Sequence, residues 1–342
     1  MFVSFRCLCS AAAGSKVPSS LTVLIGGGSG FIGKELTKCL QIRGHRPIVV
    51  TRNENSKLPC PHVTWNSLRN GAFSEKVDAV VNLAGRNLSD RVKWNEDFER
   101  DLLSSRVETT RLLRDLIVQE KLTPSVFVSS SAVGIYPVSE TATYDESSTL
   151  PIEPTDFFER LCRDWERSGA LPADCKTRHA VVRIGLVLGA TGGLLSQLQT
   201  PFMMGLGGPM GGGAQWFPWV HITDLVLILT RAIEEESVSG CLNAVAPTAC
   251  TNAQFTAALA AAVDRRAWLR LPEWLLARAV GAERARLACS GQRVLPARTL
   301  ATGYEFLYGD VDSACRAVGK VWMGGPDLVQ VWDAYEFRER PR

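Results

Sequence analysis

The sequence predicts an α/β fold in which helices cover both faces of a mainly parallel sheet, with a smaller lobe towards the C-terminal end. Three observations predict this fold class. Apolar, strand-like runs alternate with amphipathic helical stretches from Leu21 onwards, which is the pattern of β-α-β units. A glycine-rich turn follows the first apolar run, and the composition changes after Gly189. The 342 residues, 46% of them hydrophobic, suffice for one large domain and a small lobe.

Six strands are predicted in the first part of the chain, because each is a short apolar run bounded by turn residues. They cover residues 22–25, 47–51, 63–65, 79–83, 126–130 and 180–187. Helices are predicted over 31–43 and 99–120, where apolar residues recur at about 3.6-residue spacing. Strands and helices in this alternation build a doubly wound parallel sheet.

The second part of the chain has a different character. Residues 205–219 combine glycines with aromatic side chains and are predicted as a long loop over the functional site. A helix is predicted over 251–263, opening with Thr251, a residue type that caps helix N-termini. The resulting parts of the chain are residues 21–190 for the large domain, with its sheet completed by parts of 220–250, then 191–317 for the smaller C-terminal α/β lobe and 318–342 for a C-terminal extension.

Composition argues against several classes of function. The 38 basic and 35 acidic residues leave a net charge of +3, too even a balance to create a strong field for nucleic acid or an anionic membrane. The ten cysteines contain no CxxC pair and only four histidines accompany them, so no metal site is expected. No stretch approaches the roughly 18 apolar residues of a membrane-spanning helix.

The first 20 residues have the composition of a targeting segment. They contain Arg6, Lys16 and five serines, and the first carboxylate of the chain is Glu35. This composition is typical of a mitochondrial transit peptide, and it predicts a protein of the mitochondrion, on the matrix side. An irregular N-terminus without a targeting role is the alternative.

A strand runs directly into a glycine-rich turn and a helix at residues 26–33. Gly27 permits the tight turn, Gly30 lets the backbone approach a pyrophosphate, and Gly33 lets helix and strand pack closely. The helix N-terminus offers its amides to phosphate. The sequence therefore predicts a Rossmann-type domain that binds a dinucleotide. The expected contacts in this turn are Gly27, Gly28, Ser29, Gly30, Phe31, Ile32 and Gly33.

The end of the second predicted strand indicates which dinucleotide is bound. Proteins that bind NAD usually carry an acid there for the ribose hydroxyls, whereas this chain has Thr51 and Arg52. A guanidinium beside a hydroxyl suits a 2′-phosphate, so NADP(H) is favoured over NAD(H). Stacking of Arg52 on the adenine is the alternative. Leu83 and Ala84 are expected to line the ribose or nicotinamide side, or else simply to pack the strand.

Taken together, the motifs resemble the extended short-chain dehydrogenase/reductase superfamily. Within it the chain resembles the atypical epimerase family, described as sugar-nucleotide epimerase-like or cell-division-inhibitor-like. The resemblance spans about residues 21–317, and it implies a Rossmann domain, a small C-terminal lobe and NADP(H) binding, but no settled substrate. The motifs that carry it include GGGSGFIG, NLAG, RVKW…SSRVETT, SSSAVGIY, DFF…CRDWE, RIGLVLG, GLGGPMGGGAQWFPWVHITDL, LNAVAP and GQRVLP.

The resemblance also implies where catalytic residues would stand. The superfamily uses a Ser, a Tyr and a Lys four residues after the Tyr, the Lys lowering the pKa of the phenol. Ser131 matches the serine, and Ser130 beside it is expected to contact the cofactor. Phe158 stands at the Tyr position and Cys162 at the Lys position, where Cys162 is expected beside the cofactor. Neither side chain can replace the pair, since Phe158 has no proton and Cys162 no fixed positive charge.

Three further residues are candidates at the same site. The helix position that is usually Asn in extended members is Arg106, which can bind a carboxylate or phosphate of a substrate, or the cofactor itself. Asp101, just over a turn earlier, can hold Arg106 or a ribose hydroxyl, although both can equally form a solvated pair. Tyr136 is the nearby phenol that could serve as a proton donor.

A structural role is favoured for two motif residues, and the aromatic loop stays ambiguous. His221 and Asp224 match a motif of extended members in which they support the fold by hydrogen bonding. Trp216, Phe217 and Trp219 can stack on a planar ligand or close the cleft.

Two functions remain open. The missing Tyr-Lys pair favours a cofactor-binding accessory subunit of a mitochondrial assembly such as respiratory complex I, where members of this superfamily serve. An NADP(H)-dependent oxidoreductase or epimerase with a rearranged active site is the alternative. The C-terminal extension either docks on partner proteins or folds back on its own domain. Its apolar anchors are Trp322, Val329, Trp332, Tyr335 and Phe337.

Overall fold

A computed structural model describes residues 20–88, 90 and 92–325. The predicted targeting segment, except for Ser20, lies outside this part of the chain, as do four of the five apolar residues singled out in the C-terminal extension. Within the described residues, no helix combines the length and apolarity needed to cross a membrane.

The strands alternate with helices along the chain. The strands are β1 Thr22–Gly26, β2 Arg46–Thr51, β3 His62–Thr64, β4 Ala79–Asn82, β5 Val126–Ala132, β6 Thr143–Tyr144, β7 Arg178–Ile184, β8 Leu186–Gly189, β9 Trp216–Phe217, β10 Trp219–His221, β11 Gly240–Ala244, β12 Cys250–Thr251 and β13 Arg293–Val294. The helices are α1 Phe31–Ile42, α2 Trp65–Arg69, α3 Glu96–Val118, α4 Phe157–Gly169, α5 Gly193–Met203, α6 Ile222–Glu234, α7 Asn252–Ala262, α8 Glu273–Val280, α9 Ala282–Cys289, α10 Ala297–Ala301 and α11 Val311–Trp322.

Seven strands form one sheet in the order β3-β2-β1-β4-β5-β7-β11, and every neighbouring pair is parallel. The predicted doubly wound α/β fold is confirmed. The chain runs outwards from β1 through β2 to β3 and then crosses back to β4 on the other side of β1. The strand order therefore reverses between β1 and β4, and ligands of such sheets bind in the crevice outside the strand carboxyl ends at this point.

Side-chain alternation assigns the two faces of the sheet to different helices. Val23 and Ile25 of β1 pack with α1 and α6, whereas Leu24 packs with α3. All three are fully buried. Because successive strand residues point to opposite faces, this pattern requires helices on both faces and explains why the strands read as continuous apolar runs.

The smaller lobe has a core of its own. Phe217 stacks on Phe255 with 4.2 Å between ring centroids, and α5, α7 and α11 surround them. Asp224 at the start of α6 ties this lobe to the sheet. Its carboxylate accepts from the Tyr304 hydroxyl at 2.8 Å and from the Tyr308 amide at 3.0 Å. His221 caps α6 by accepting from a backbone amide, in keeping with the structural role expected for both residues.

Two predicted strands and one predicted loop need correction. The run over residues 180–187 is two strands, because Gly185 leaves the sheet: a Cβ there would lie 2.7 Å from the Pro218 carbonyl oxygen, and β8 pairs with β10 instead. Trp65 begins α2 rather than ending β3, since the Thr64 hydroxyl caps that helix. Trp216–Phe217 form a short strand and Trp219 begins another, although the prediction places residues 205–219 in a loop.

Candidate functional site

Close contacts require glycine at several positions of the loop between β1 and α1. Gly27 has a φ of +76°, and a side chain there would place its Cβ 2.6 Å from the carbonyl carbon of Leu83. A Cβ on Gly33 would lie 2.3 Å from the Gly27 carbonyl oxygen, and one on Gly28 would lie 2.6 Å from Val49. The loop therefore lies against the end of β4 and the base of α1, as the glycine pattern predicts.

The N-terminus of α1 is left open for a ligand. Gly30 is the N-cap, so no side chain satisfies the first amides, and the first turn contains no acid. Gly30 and Ser29 are exposed, while Ile32 is half-buried. The ring of Phe31 packs against the turn at residues 189–193. Free amides and the positive end of the helix dipole favour an anion here.

An open hollow of about 320 Å³ lies beyond the carboxyl ends of β2 and β3. Arg52 lines it and is exposed. Thr51 is buried, and its hydroxyl is engaged by the Ser56 hydroxyl at 3.0 Å, so Thr51 supports the loop. Most residues that line the hollow were not predicted from the sequence, although the position of the hollow after the ends of two strands was a usable signal. The other lining residues are Asn53, Glu54, Asn55, Thr64 and Asn66.

The end of β4 is held by a buried amide. Asn82 accepts from the Ala84 amide at 3.1 Å and donates to the Thr110 hydroxyl at 2.8 Å. Leu83 donates from its amide to the Gly26 carbonyl at 2.8 Å. The structure thus brings Leu83 and Ala84, both half-buried, against the glycine loop at the crevice.

The serine-rich end of β5 holds one unpaired hydroxyl. Ser130 donates to the Asn82 carbonyl at 2.7 Å and so supports the neighbouring strand. Ser131 is 1% exposed, and its Oγ has no hydrogen-bond partner among the described residues. A buried hydroxyl without a partner is uncommon, and it marks a position where a ligand atom can complete the bonding.

No proton-exchanging pair stands where the superfamily has one. Phe158 is half-buried against Trp94 and Phe157. Cys162 is 3% exposed, and burial, with a smaller contribution from Glu166, raises the pKa of its thiol to about 12. Cys162 is therefore a neutral thiol at pH 7, hydrogen-bonded to the backbone of Ala132 rather than open to the crevice.

The Arg106 guanidinium lies between the loop after β4 and helix α4. Its nitrogens donate to the Leu102 carbonyl at 3.1 Å and to the Arg86 carbonyl at 3.0 Å. Its Cζ lies 5.2 Å from the Trp165 ring, a cation-π arrangement. A Cβ on Gly85 would lie 3.0 Å from that Cζ, so the glycine of the NLAG motif makes room for the charge. Burial lowers the pKa of Arg106 from its ordinary value.

The structure does not pair Asp101 with Arg106. Asp101 is exposed and forms an ion pair with Arg86, which also contacts Asp90 at 3.4 Å. The expectation that Asp101 holds Arg106 is wrong, because the Arg106 side chain turns inwards under the loop while Asp101 stays at the surface.

Tyr136 is also placed differently from the proton donor considered for it. The side chain is 1% exposed, its hydroxyl donates to Asn243 at 2.9 Å and accepts from Arg183 at 2.9 Å. Glu166 holds the same Arg183 by two hydrogen bonds of 2.8 and 2.9 Å. The phenol is thus a member of an interior network between β7 and β11, and this geometry favours a structural role.

The aromatic loop residues mostly fill the small lobe. Phe217 and Trp219 are buried in its core, which leaves neither free to stack on a ligand. Trp216 is half-buried under Arg293 and donates to the Glu140 carbonyl at 2.8 Å. The glycine-rich run before them packs against the lobe, where a Cβ on Gly208 would lie 2.0 Å from the Leu269 carbonyl oxygen.

A contact between the small lobe and the loop after β4 was missed from the sequence. Arg284 of α9 donates to the carbonyls of Leu88 and Asp90 at 3.1 and 2.7 Å. Its guanidinium also lies about 5 Å from the rings of Trp94 and Phe98. The small lobe is thereby fastened to the loop between β4 and α3. Local sequence patterns do not predict a contact between residues almost 200 positions apart.

The strand order, the glycine loop at its reversal point and a serine on β5 define the short-chain dehydrogenase/reductase class. A family model described as the NAD dependent epimerase/dehydratase family matches residues 23–243, and a domain of unknown function, DUF1731, matches residues 271–318. The chain belongs to the NAD dependent epimerase/dehydratase family.

Several proteins are similar along most of their length. Epimerase family protein SDR39U1 of Homo sapiens is 43% identical over 300 residues, covering 87% of this chain and 99% of that protein. Epimerase family protein YfhF of Bacillus subtilis is 33% identical, covering 86% and 96%. A crystal structure of human SDR39U1 (isoform2) with NADPH superposes with a TM-score of 0.82 at 42% identity, covering 88% of this chain and 99% of that one.

Proposed function

We propose that this chain binds NADP(H) in the crevice at the carboxyl edge of its sheet. The observation that carries the proposal is the glycine loop at the strand-order reversal, which leaves the uncapped N-terminus of α1 open beside β4. Residues 26–33 would hold the pyrophosphate, and Leu83 and Ala84 would lie along the nicotinamide half. The NADPH in the human SDR39U1 structure supports this assignment. When bound, the cofactor supplies a hydride donor or acceptor.

Arg52 would hold the 2′-phosphate. It lines the hollow beyond β2, where an NAD-binding protein carries an acid for the ribose hydroxyls. The polar lining contains one carboxylate, Glu54, beside three asparagines. A guanidinium at this place favours the phosphorylated ribose.

Replacing Arg52 by Asp tests the choice of cofactor. We expect NADPH affinity of Arg52→Asp to fall at least about tenfold, since a charge-assisted contact becomes a repulsion, while NADH affinity changes little. Isothermal titration with both nucleotides measures the two affinities. Arg111→Asp, the same charge change at an exposed position of α3, is the control. An unchanged preference for NADPH in Arg52→Asp would refute the assignment.

We further infer that the chain is an NADP(H)-binding accessory component of a mitochondrial assembly rather than a conventional dehydrogenase. Phe158 and Cys162 supply neither a phenol nor a fixed cation, and the Tyr136 hydroxyl is occupied by Asn243 and Arg183. A cofactor that binds only the folded state stabilises the fold without turning over. The composition of residues 1–20 supports the mitochondrial location.

Fractionation of mitochondria tests this role. We expect the full chain to migrate on a native gel with a large assembly, of which respiratory complex I is the first to examine, and purified protein to leave NADPH unoxidised with small carbonyl compounds. A free monomer that oxidises NADPH would overturn the accessory role.

One observation favours the alternative of an oxidoreductase or epimerase with a rearranged active site. The Ser131 hydroxyl on β5 has no hydrogen-bond partner in the described part of the chain, and the Arg106 charge lies between the loop after β4 and α4. These groups could bind and orient a substrate in place of the missing pair. A Ser131→Ala variant with unchanged turnover would argue against that use of the serine.

A further inference from the structure

The Arg106 guanidinium is a half-buried charge without a carboxylate partner. Within residues 20–88, 90 and 92–325, its polar partners are two backbone carbonyls, and no Asp or Glu forms an ion pair with it. These two bonds use two of its five N–H donors. Placing a charge in the interior is expensive unless an opposite charge or full hydrogen bonding compensates for it. An anionic ligand would therefore complete the bonding of Arg106.

The neighbouring acidic groups are committed elsewhere. Cys162 lies close enough for the Arg106 charge to act on its thiol, but that thiol stays protonated at pH 7 because burial raises its pKa to about 12. Glu166 is bound at both oxygens by Arg183. Asp101 is paired with Arg86 at the surface. None of these groups neutralises Arg106.

A second unsatisfied group lies on the same side of the sheet. The Ser129 hydroxyl contacts His179 at 2.8 Å and faces Gly169 of α4. Ser131, two residues further along β5, points to that same face because strand side chains alternate with a period of two. Its Oγ has no partner among the described residues, and the next residue, Ala132, is hydrogen-bonded to Cys162. Ser131 therefore directly precedes the residue that contacts Cys162, and the Arg106 charge acts on the same thiol.

The missing anion does not belong to the cofactor, a step that rests on the proposed NADP(H) site. The pyrophosphate is assigned to the glycine loop and the 2′-phosphate to Arg52. The nicotinamide and its ribose, which would approach β5, carry no negative charge. The charge that complements Arg106 must therefore arrive on a second ligand.

We propose that Arg106 and Ser131 form a binding site for the carboxylate of a small organic acid beside the nicotinamide end of the crevice. One guanidinium matches the single charge of a carboxylate, and its planar fork suits the two oxygens. Ser131 donates its free hydroxyl to the same group. Glycine at position 85 makes room for the guanidinium itself, since a Cβ there would lie 3.0 Å from its Cζ.

Titration of the NADPH-loaded full chain with acetate, oxamate and oxalate tests the site, with binding followed by isothermal titration and by nicotinamide fluorescence. We expect at least one of these carboxylates to saturate the wild type. Arg106→Gln should weaken that binding at least about tenfold, and Ser131→Ala about threefold. Arg111→Gln, the same change at an exposed position of α3, should leave it unchanged.

The outcomes separate the possibilities. Saturation by none of the three acids, equal affinity of wild type and Arg106→Gln, or stronger binding of inorganic phosphate than of any carboxylate would each overturn the proposal. Because Arg106 also fastens the loop after β4, thermal unfolding checks that Arg106→Gln is folded, and Ser131→Ala tests the site without touching that loop. If the wild type binds no NADPH, the cofactor proposal fails, and the same titration of the unloaded chain still decides the carboxylate site.

Discussion

At the scale of single residues, the departure from the superfamily's pattern involves two positions near the crevice, residues 162 and 106. Cys162 removes the cation of the superfamily's lysine position from α4, while Arg106 places a cation on the adjacent helix α3. Gly85 provides the space that the guanidinium needs. In this chain a cation therefore lies on α3 at residue 106, while residue 162 of α4 carries none.

This arrangement predicts that the superfamily's lysine no longer fits. Cys162→Lys would bury a second cation beside Arg106, and we expect it to lower the free energy of unfolding at pH 7 by about 3 kcal/mol or more. Burial depresses the pKa of such a lysine, so the loss should shrink as the pH rises towards the unfolded-state value of about 10.

Urea unfolding at pH 7 and at pH 9.5 measures both effects. Cys162→Met is the control, because it extends the side chain without adding charge. A lysine variant as stable as the methionine variant would show that the interior tolerates the second charge.

At the scale of elements, the α8–α9 hairpin buries very few of its own residues. No residue of α8 is buried, and Ala285 is the buried residue of α9. Gly281, with a φ of +93°, joins the two helices. Arg284 consequently provides the main polar attachment of the hairpin to the loop between β4 and α3.

Arg284→Ala should release this attachment. We expect faster amide hydrogen exchange in residues 282–289 and 92–98, since two hydrogen bonds and the ring contacts with Trp94 and Phe98 are lost. The sheet should keep its protection. Arg286→Ala in the same helix, which removes an exposed ion pair with Glu283, is the control. Equal exchange in both variants would show that apolar packing alone holds the hairpin.

The elements also show what could be predicted from the sequence. Apolar runs located six of the seven sheet strands, because both faces of this sheet are buried, and helical periodicity located α1, α3 and α7 but not α4, α5, α6 or α11. The uninterrupted apolar run also concealed the end of a strand at Gly185. Apolar residues continue on both sides of Gly185, but the Leu186 amide donates to the Pro218 carbonyl. A local sequence pattern contains no information about this change of hydrogen-bonding partner.

The functional site was likewise predicted only in part. The glycine loop was found because each glycine answers to a local backbone requirement. The partners of Asp101 and Tyr136 were not predicted, because tertiary packing brings Arg86 and Asn243 to them. Spacing along one helix or strand carries no information about such contacts.

At the scale of the whole molecule, two histidines lie in the structure as neutral rings. Burial lowers the pKa of His221, the cap of α6, from 6.5 to about 3. Burial also lowers the pKa of His179 to about 4, although Glu166 acts in the opposite direction. His179 lies in strand β7 of the sheet, and His221 lies where the small lobe adjoins the sheet. Protonation of the two histidines therefore affects both hydrophobic cores.

These shifts predict a loss of stability on acidification. Between pH 6.5 and about 4 the unfolded chain binds protons at both histidines while the folded chain does not, so unfolding is favoured as the pH falls. Each histidine should contribute a slope of about 1.4 kcal/mol per pH unit in this window. Urea unfolding between pH 7 and pH 5 measures it. His221→Asn keeps a side chain that can cap α6 but does not titrate, and should reduce the slope by about half of the histidine contribution. A slope in His221→Asn as steep as in the wild type would show that His221 is protonated in the folded protein.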